Sequence, residues 1–295
     1  MKSRFIVFQV VGVLLLAYWW YILVLPTLTP TDYRVRVHFL DVGQGDAILI
    51  ETPDRRQILV DAGRSIKILD RLQEILPMSD VEIDVLVMTH PDADHIGGFV
   101  PIIKRYTVNT IIRSFANSNT GVYKALLKEI EQSQEEDDTA VHIINRAYTF
   151  SLDGVQFDIL WPLNEEVKET NAASVVLLMT YGDMKVLLTG DANAAVEDLL
   201  VNVFPNRTED VDILKAGHHG SKTSTSELFL THTKPDAIVY SASKNNRYGH
   251  PHDIVKERVA NYGNRHPEEN LRDYWTATDG TISFCLTHTS FQVCE

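Results

Sequence analysis

Ten residues, Thr89-His90-Pro91-Asp92-Ala93-Asp94-His95-Ile96-Gly97-Gly98, set the terms for the rest of the chain. The apolar run Val85-Leu86-Val87-Met88 leads into them and reads as a buried strand. An apolar stretch with helical spacing, Ile96 to Tyr106, follows. Four metal-capable side chains, His90, Asp92, Asp94 and His95, therefore fall on one short turn between a strand and a helix. A strand end is rigid, so it can hold ligands at fixed distances around an ion. Imidazole with carboxylate suits a borderline or hard divalent cation, zinc or manganese with magnesium allowed, and not a thiolate-loving one. The plain alternative is a polar surface turn rich in Asp and His. Downstream residues that complete the same chemistry weigh against it.

Composition narrows the class. The chain has 295 residues, 44% hydrophobic and 23% charged, enough for one large domain with its own core. Net charge is −13; residues 1–30 contribute Lys2 and Arg4 and no acid, so residues 31–295 carry −15. Such a surface does not favour indiscriminate nucleic-acid binding, and any contact with DNA has to be local. Only two cysteines occur, Cys285 and Cys294, which excludes a disulfide scaffold and a cysteine zinc site.

Residues 5–25 form an apolar run broken only by Gln9. At about 1.5 Å rise per residue it spans a hydrocarbon core of about 30 Å. Lys2 and Arg4 precede it and no charge follows until Asp32, which puts the N-terminus in the cytoplasm and the rest outside. The competing reading is a cleaved signal peptide; the run is long for one and no A-x-A-like site follows. The expected organisation is a membrane anchor and linker over 1–30 and a hydrolase domain over 31–295.

Strand patterns follow at Val35 to Leu40, Ala47 to Glu51 and Ile58 to Val60, with a turn at Asp41-Val42-Gly43-Gln44-Gly45-Asp46. For Asp41 and Asp46, simple turn chemistry explains the residues as well as a functional role does. Helical spacing covers Ser65 to Leu76, Val122 to Gln132, Ala194 to Val201 and Ser224 to Leu230. The acidic run Glu135-Glu136-Asp137-Asp138 reads as a solvated loop. Asp153-Gly154 joins two β segments, 147–151 and 155–161. Val175 to Tyr181, Val186 to Thr189, Asp212 to Ala216 and Ala237 to Ser241 are further strands. Asp191 closes one of these apolar strands, where a ligand belongs, and Gly217-His218-His219-Gly220-Ser221-Lys222 closes another. At the end, Ile282 to Leu286 and Ser290 to Cys294 form two short strands. A turn centred on Thr289-Ser290 sets Cys285 opposite Cys294 within disulfide reach; a turn one residue earlier leaves them out of register.

His90-x-Asp92-x-Asp94-His95 resembles the His-x-His-x-Asp-His signature of the metallo-β-lactamase superfamily, with Asp in place of the second His. That variant, with Asp-Val-Gly-Gln-Gly-Asp (41–46), Asp-Ala-Gly (61–63), Asn-Ala-Ala-Ser (171–174), Gly-His-His-Gly-Ser (217–221) and Tyr-Gly-His-Pro (248–251), looks like the corresponding domain of ComEC-type competence proteins, over about residues 35 to 255. The resemblance implies an α/β fold, the αββα sandwich of two sheets with helices outside. It implies one ion held by His90, Asp92 and Asp191, and a second by Asp94, His95, Asp191 and His218. Asp61 braces the metal turn from behind, with Asn171 and Ser174 nearby. His219 is a substrate contact or a support for the ligands, and His250 faces the site; with Asp94 these two are the catalytic candidates. The superfamily's third metal-binding His has no counterpart before Val175, which implies weaker binding of one ion. Ser221, Lys222, Lys244 and Arg247 lie in the same loops as possible phosphate contacts, against the plain alternative of exposed surface bases.

The implied activity is metal-dependent hydrolysis of a phosphodiester in DNA or another nucleic acid, outside the cytoplasmic membrane. Two ions about 3.5–4 Å apart can activate water near neutral pH and clamp the attacked and leaving oxygens. The same fold also permits hydrolysis of an amide, thioester or lactone, or a binding module that has lost catalysis. Nucleic acid is the implied partner, with a separate membrane channel, because a single candidate span cannot conduct DNA.

Overall fold

The computed structural model describes residues 18–19 and 34–294, and Arg34–Glu295 forms one compact unit. The expected span over 5–25 lies outside the described residues except for Tyr18 and Trp19. Among the described residues no helix is long and apolar enough to cross a membrane.

Fifteen strands build two sheets among the described residues. The first uses β1 (Val35–Phe39), β2 (Ile48–Glu51), β3 (Gln57–Val60), β4 (Glu82–Met88), β5 (Thr107–Ser114) and β6 (Ala140–Ile144). The second uses β7 (Tyr148–Leu152), β8 (Val155–Trp161), β9 (Val176–Tyr181), β10 (Met184–Leu188), β11 (Ile213–Lys215), β12 (Ala237–Tyr240) and β13 (Arg272–Trp275). The chain then returns to the first sheet with β14 (Ile282–Leu286) and β15 (Phe291–Val293). The orders are β15-β14-β1-β2-β3-β4-β5-β6 and β13-β12-β11-β10-β9-β8-β7.

Side chains alternate across each strand, and here both faces are covered. Val35, Val37, Phe39, Val60, Val87, Phe157, Leu177, Leu188 and Phe284 meet between the sheets. The intervening residues point outward under helices. Leu49, Leu59, Leu86 and Met88 pack on α1 (Lys67–Ile75), α2 (Ala93–Ile96), α3 (Phe99–Ile103) and α4 (Gly121–Glu136). Leu178, Leu187, Leu214 and Ile238 pack on α5 (Ala194–Val203), α6 (Glu227–Thr233) and α7 (Asp253–Arg265). The layers are therefore αββα. Phe284 lies edge-on to Phe39 and Tyr274, with ring centroids 6.0 and 5.4 Å away. Burying such a ring contributes roughly 1.5–3 kcal/mol.

Several local expectations shift. The helical stretch after the metal turn breaks at Gly97-Gly98 into α2 and α3, because an added Cβ on Gly98 would lie 2.1 Å from the Ala62 carbonyl oxygen. Helix α4 runs to Glu136 and takes in the first half of the acidic run, which is not a loop throughout. Ser65 does not cap α1; Ile66 stands at that position. Helix α6 begins three residues later than its spacing implied, capped by the Ser226 side chain. Helix α7 and strand β13 were not anticipated. Leu286 pairs with Phe291, so the last hairpin turns one residue early and Cys285 faces Gln292. Cys294, just past β15, still bonds Cys285, with Cα atoms 5.3 Å apart.

Candidate metal centre

Strands β3 and β4 run parallel, as do β10 and β11. Each pair delivers its next residues to the same end of the sandwich: Asp61 after β3, His90 after β4, Asp191 after β10, and His218 and His219 after β11. The Val175 amide donates to the Thr89 carbonyl (2.9 Å) and ties the ends of the two sheets together there.

Asp61 is fully buried in a left-handed backbone conformation (φ 56°). Its Oδ1 accepts from the Thr89 amide (2.9 Å), and its Oδ2 accepts from the Thr89 hydroxyl (2.6 Å) and from His95 Nδ1 (2.7 Å). The Thr89 proton is thus committed to Asp61, so Thr89 Oγ1 accepts from His90 Nδ1 (3.0 Å). Ser174 Oγ lies 3.3 Å from the same nitrogen and accepts from the Asp191 amide (3.1 Å). His90 and His95 thereby turn Nε2 toward the centre. Asn171 Oδ1 accepts from the neighbouring Thr170 hydroxyl.

Asp191 stands between two groups. Its Oδ2 is 3.8 Å from His90 Nε2 and 3.4 Å from His218 Nε2, and Asp92 Oδ2 is 4.0 Å from His90 Nε2. Its Oδ1 is 3.3 Å from His95 Nε2 and 3.4 Å from His219 Nε2, and Asp94 Oδ2 is 3.8 Å from His219 Nε2. The geometry thus sorts the two histidines differently from the resemblance. His218 shares Asp191 Oδ2 with His90, and His219 shares Asp191 Oδ1 with His95 and approaches Asp94. The two residues have φ of 48° and 57°, a left-handed pair that sends neighbouring rings to opposite oxygens of one carboxylate.

The residues fit a cation. Asp46, His95, Asp191 and His219, all buried, bring one ligand atom each within 4.8 Å of one another and could hold a metal ion. Buried His90 Nε2 and Asp191 Oδ1 have no hydrogen-bond partner among the described residues. Burial, with His95 alongside, holds the His90 imidazole well below its ordinary value and keeps it neutral, as a ligand must be. Burial would lower His95 too, but Asp191 and Asp61 outweigh it and hold the ring well above the ordinary range. Burial would raise Asp191, but His219 and His95 keep it ionised. Burial raises Asp92 and lowers His218. His250, also displaced by burial and then by His218 and His219, is pushed down to about 4.

His250 lies edge-on to His218 (centroids 5.2 Å) and stacks with Tyr248 (5.6 Å), whose other neighbour is the Arg247 guanidinium, 4.7 Å from the ring centroid. Arg247, Lys222 and Lys244 are exposed. Ser221 is buried, with its hydroxyl 3.0 Å from that of Thr223. Asp46, for which turn chemistry and a functional role weighed equally in the sequence, lies in the centre. Lys215, inside the expected strand Asp212 to Ala216, was not singled out there, and its ammonium reaches Asp46.

Residues 40–243 match the model of the metallo-β-lactamase superfamily. ComE operon protein 3 of Bacillus subtilis is 32% identical over 267 residues, covering 84% of this chain and 32% of that protein. Recombination protein 2 of Haemophilus influenzae is 34% identical over 231 residues, covering 77% of this chain and 26% of that protein. The chain thus spans about a third or less of the length of these relatives. A metallo hydrolase from the hyperthermophilic archaeon Ignicoccus hospitalis has the same fold, with a TM-score of 0.55 at 14% identity over 85% of this chain and all of that one.

Proposed function

Because the chain belongs to the metallo-β-lactamase superfamily and is related to competence proteins, we propose that this metal-dependent hydrolase cleaves phosphodiester bonds of nucleic acid. One observation carries the reading: the two oxygens of Asp191 face two separate imidazole–carboxylate groups. His90, Asp92, His218 and Asp191 would hold one divalent ion; Asp94, His95, His219 and Asp191 would hold the other. Bound there, such ions supply a nucleophile from water and polarise the phosphoryl oxygens. The chain's own groups position them. Asp61, Thr89 and Ser174 fix the ring orientations of His90 and His95. His250, neutral, donates a hydrogen bond to a phosphoryl oxygen at the mouth. Arg247, Lys222 and Lys244 give local positive charge to a domain that is otherwise acidic. The apolar run over 5–25 supports a tether that leaves this domain outside the cytoplasmic membrane, beside a separate channel protein.

The test uses the purified full chain and its Asp191→Asn variant, with single- and double-stranded DNA, a cyclic dinucleotide and nitrocefin, in manganese, magnesium or zinc. Wild type should cleave a phosphodiester only with metal. The variant should lose several kcal/mol of charge stabilisation, so turnover falls about a thousand-fold. Turnover of nitrocefin with every phosphodiester left intact would replace this reading by amide hydrolysis.

A further inference from the structure

Lys215 ends β11 with no exposed surface. Lysine is almost never found there unless its charge is matched. Its ammonium donates to Asp46 Oδ2 (2.8 Å) and to the Gly190 carbonyl (3.1 Å). Asp46, 1% exposed, puts its other oxygen 3.3 Å from His219 Nδ1. Neither of these two buried atoms has a hydrogen-bond partner among the described residues. The far nitrogen of the same ring faces Asp191 and Asp94. Asp46 stands behind His219 as Asp61 stands behind His95, at a longer distance: Asp61 accepts from His95 Nδ1 at 2.7 Å. Each of the two imidazoles nearest Asp191 Oδ1 has a carboxylate at its back.

We propose that Asp46 is not a metal ligand but a positioning residue, clamped by Lys215, that holds the proton on His219 Nδ1 and so presents the Nε2 lone pair to the metal. Two physical points support this over direct ligation. An ammonium 2.8 Å from a carboxylate oxygen repels a divalent ion bound to that same carboxylate. The Lys215–Asp46 pair is also neutral as a unit, which leaves Asp61, Asp92, Asp94 and Asp191 to match the charge of two divalent ions. Gly45 serves the same end. An added Cβ would lie 1.8 Å from the Asp94 carbonyl oxygen, so the loop carrying Asp46 docks directly on the metal turn.

The inference rests on the metal reading above and not on the substrate, so its test reads metal and leaves nucleic acid out. In zinc-loaded wild-type full chain, nitrogen-15 NMR should find His219 protonated at Nδ1 and metallated at Nε2. Asp46→Asn and the double variant Asp46→Asn/Lys215→Met are loaded with cobalt. The double variant leaves no unpaired buried charge, so it decides the matter if the single variant does not fold. Cobalt absorption at saturation should match wild type, while the dissociation constant of one ion rises about 10–100-fold. A cobalt spectrum that reports a lost ligand would make Asp46 a direct ligand and overturn the proposal. So would unchanged dissociation constants for both ions, or zinc on His219 Nδ1.

Discussion

At the scale of single residues, the centre depends on backbone positions as much as on ligands. Gly45 has φ of +111°, where an L side chain is strained, and it has no room for a Cβ against Asp94. Gly45→Ala is therefore expected to cost about 2–4 kcal/mol, the sum of a left-handed penalty and overpacking against backbone. It should also lower bound metal, because relief has to come from moving either Asp46 or the metal turn. Urea unfolding with elemental analysis of the purified variant checks both. Wild-type stability together with full metal content would show that this docking is not what sets the turn. His218 and His219 each hold a left-handed φ at a cost of about 1–3 kcal/mol, and in that backbone two adjacent rings reach the two oxygens of Asp191.

The elements hold this loop in place through a buried relay. Glu197 on α5 is fully buried, and its carboxylate accepts from the Thr225 and Ser226 amides at 2.5 and 2.8 Å. Thr225 in turn accepts, through its hydroxyl, from the Gly217 amide (3.1 Å), the residue before the histidine pair. Burial raises the Glu197 carboxyl, and the two amides pull it back. Glu197→Ala leaves both amides without a partner, so it should destabilise the fold by about 2–5 kcal/mol. Glu197→Gln, which keeps one acceptor, should lose less. Denaturant midpoints of the two variants decide this, and equal midpoints would mean that the relay contributes nothing. Helix α7 adds a second brace: Arg258 donates to the Ser224 and Thr225 carbonyls at 3.1 and 2.6 Å.

For the molecule as a whole, the ligands come from both halves of the sandwich, the ends of β3 and β4 in one sheet and of β10 and β11 in the other. A bound ion therefore links the sheets and is coupled to global folding. Each ion present at about 100 times its dissociation constant adds about 2.7 kcal/mol. Chelation of the purified chain should lower its thermal midpoint, and in Asp191→Asn the chelator should have little further effect. Identical melting curves with and without chelator in wild type would separate the metal from the fold.

The metal turn, its flanking strand and the ends of most strands were legible from residue order, because they depend on local periodicity and on ligand types at short spacing; the αββα class followed from the resemblance of the motifs, since periodicity does not fix which strands pair. Asp61, His90 and Asp191 follow the ends of apolar strands and match motifs of the resemblance, and strand ends converge when strands run parallel; His95 came with the metal turn and lies on α2. Three things needed the tertiary structure. Which histidine of the 218–219 pair joins which group depends on two left-handed φ angles that residue order does not announce. The roles of Asp46 and Lys215 arise only where a loop of one sheet meets a strand end of the other, 169 residues apart in the chain. The Cys285–Cys294 bond forms although the hairpin register sets Cys285 opposite Gln292, because Cys294 lies past the end of β15, where pairing no longer dictates its place. Local chemistry is written in neighbouring residues; the partner of a buried charge is chosen by packing.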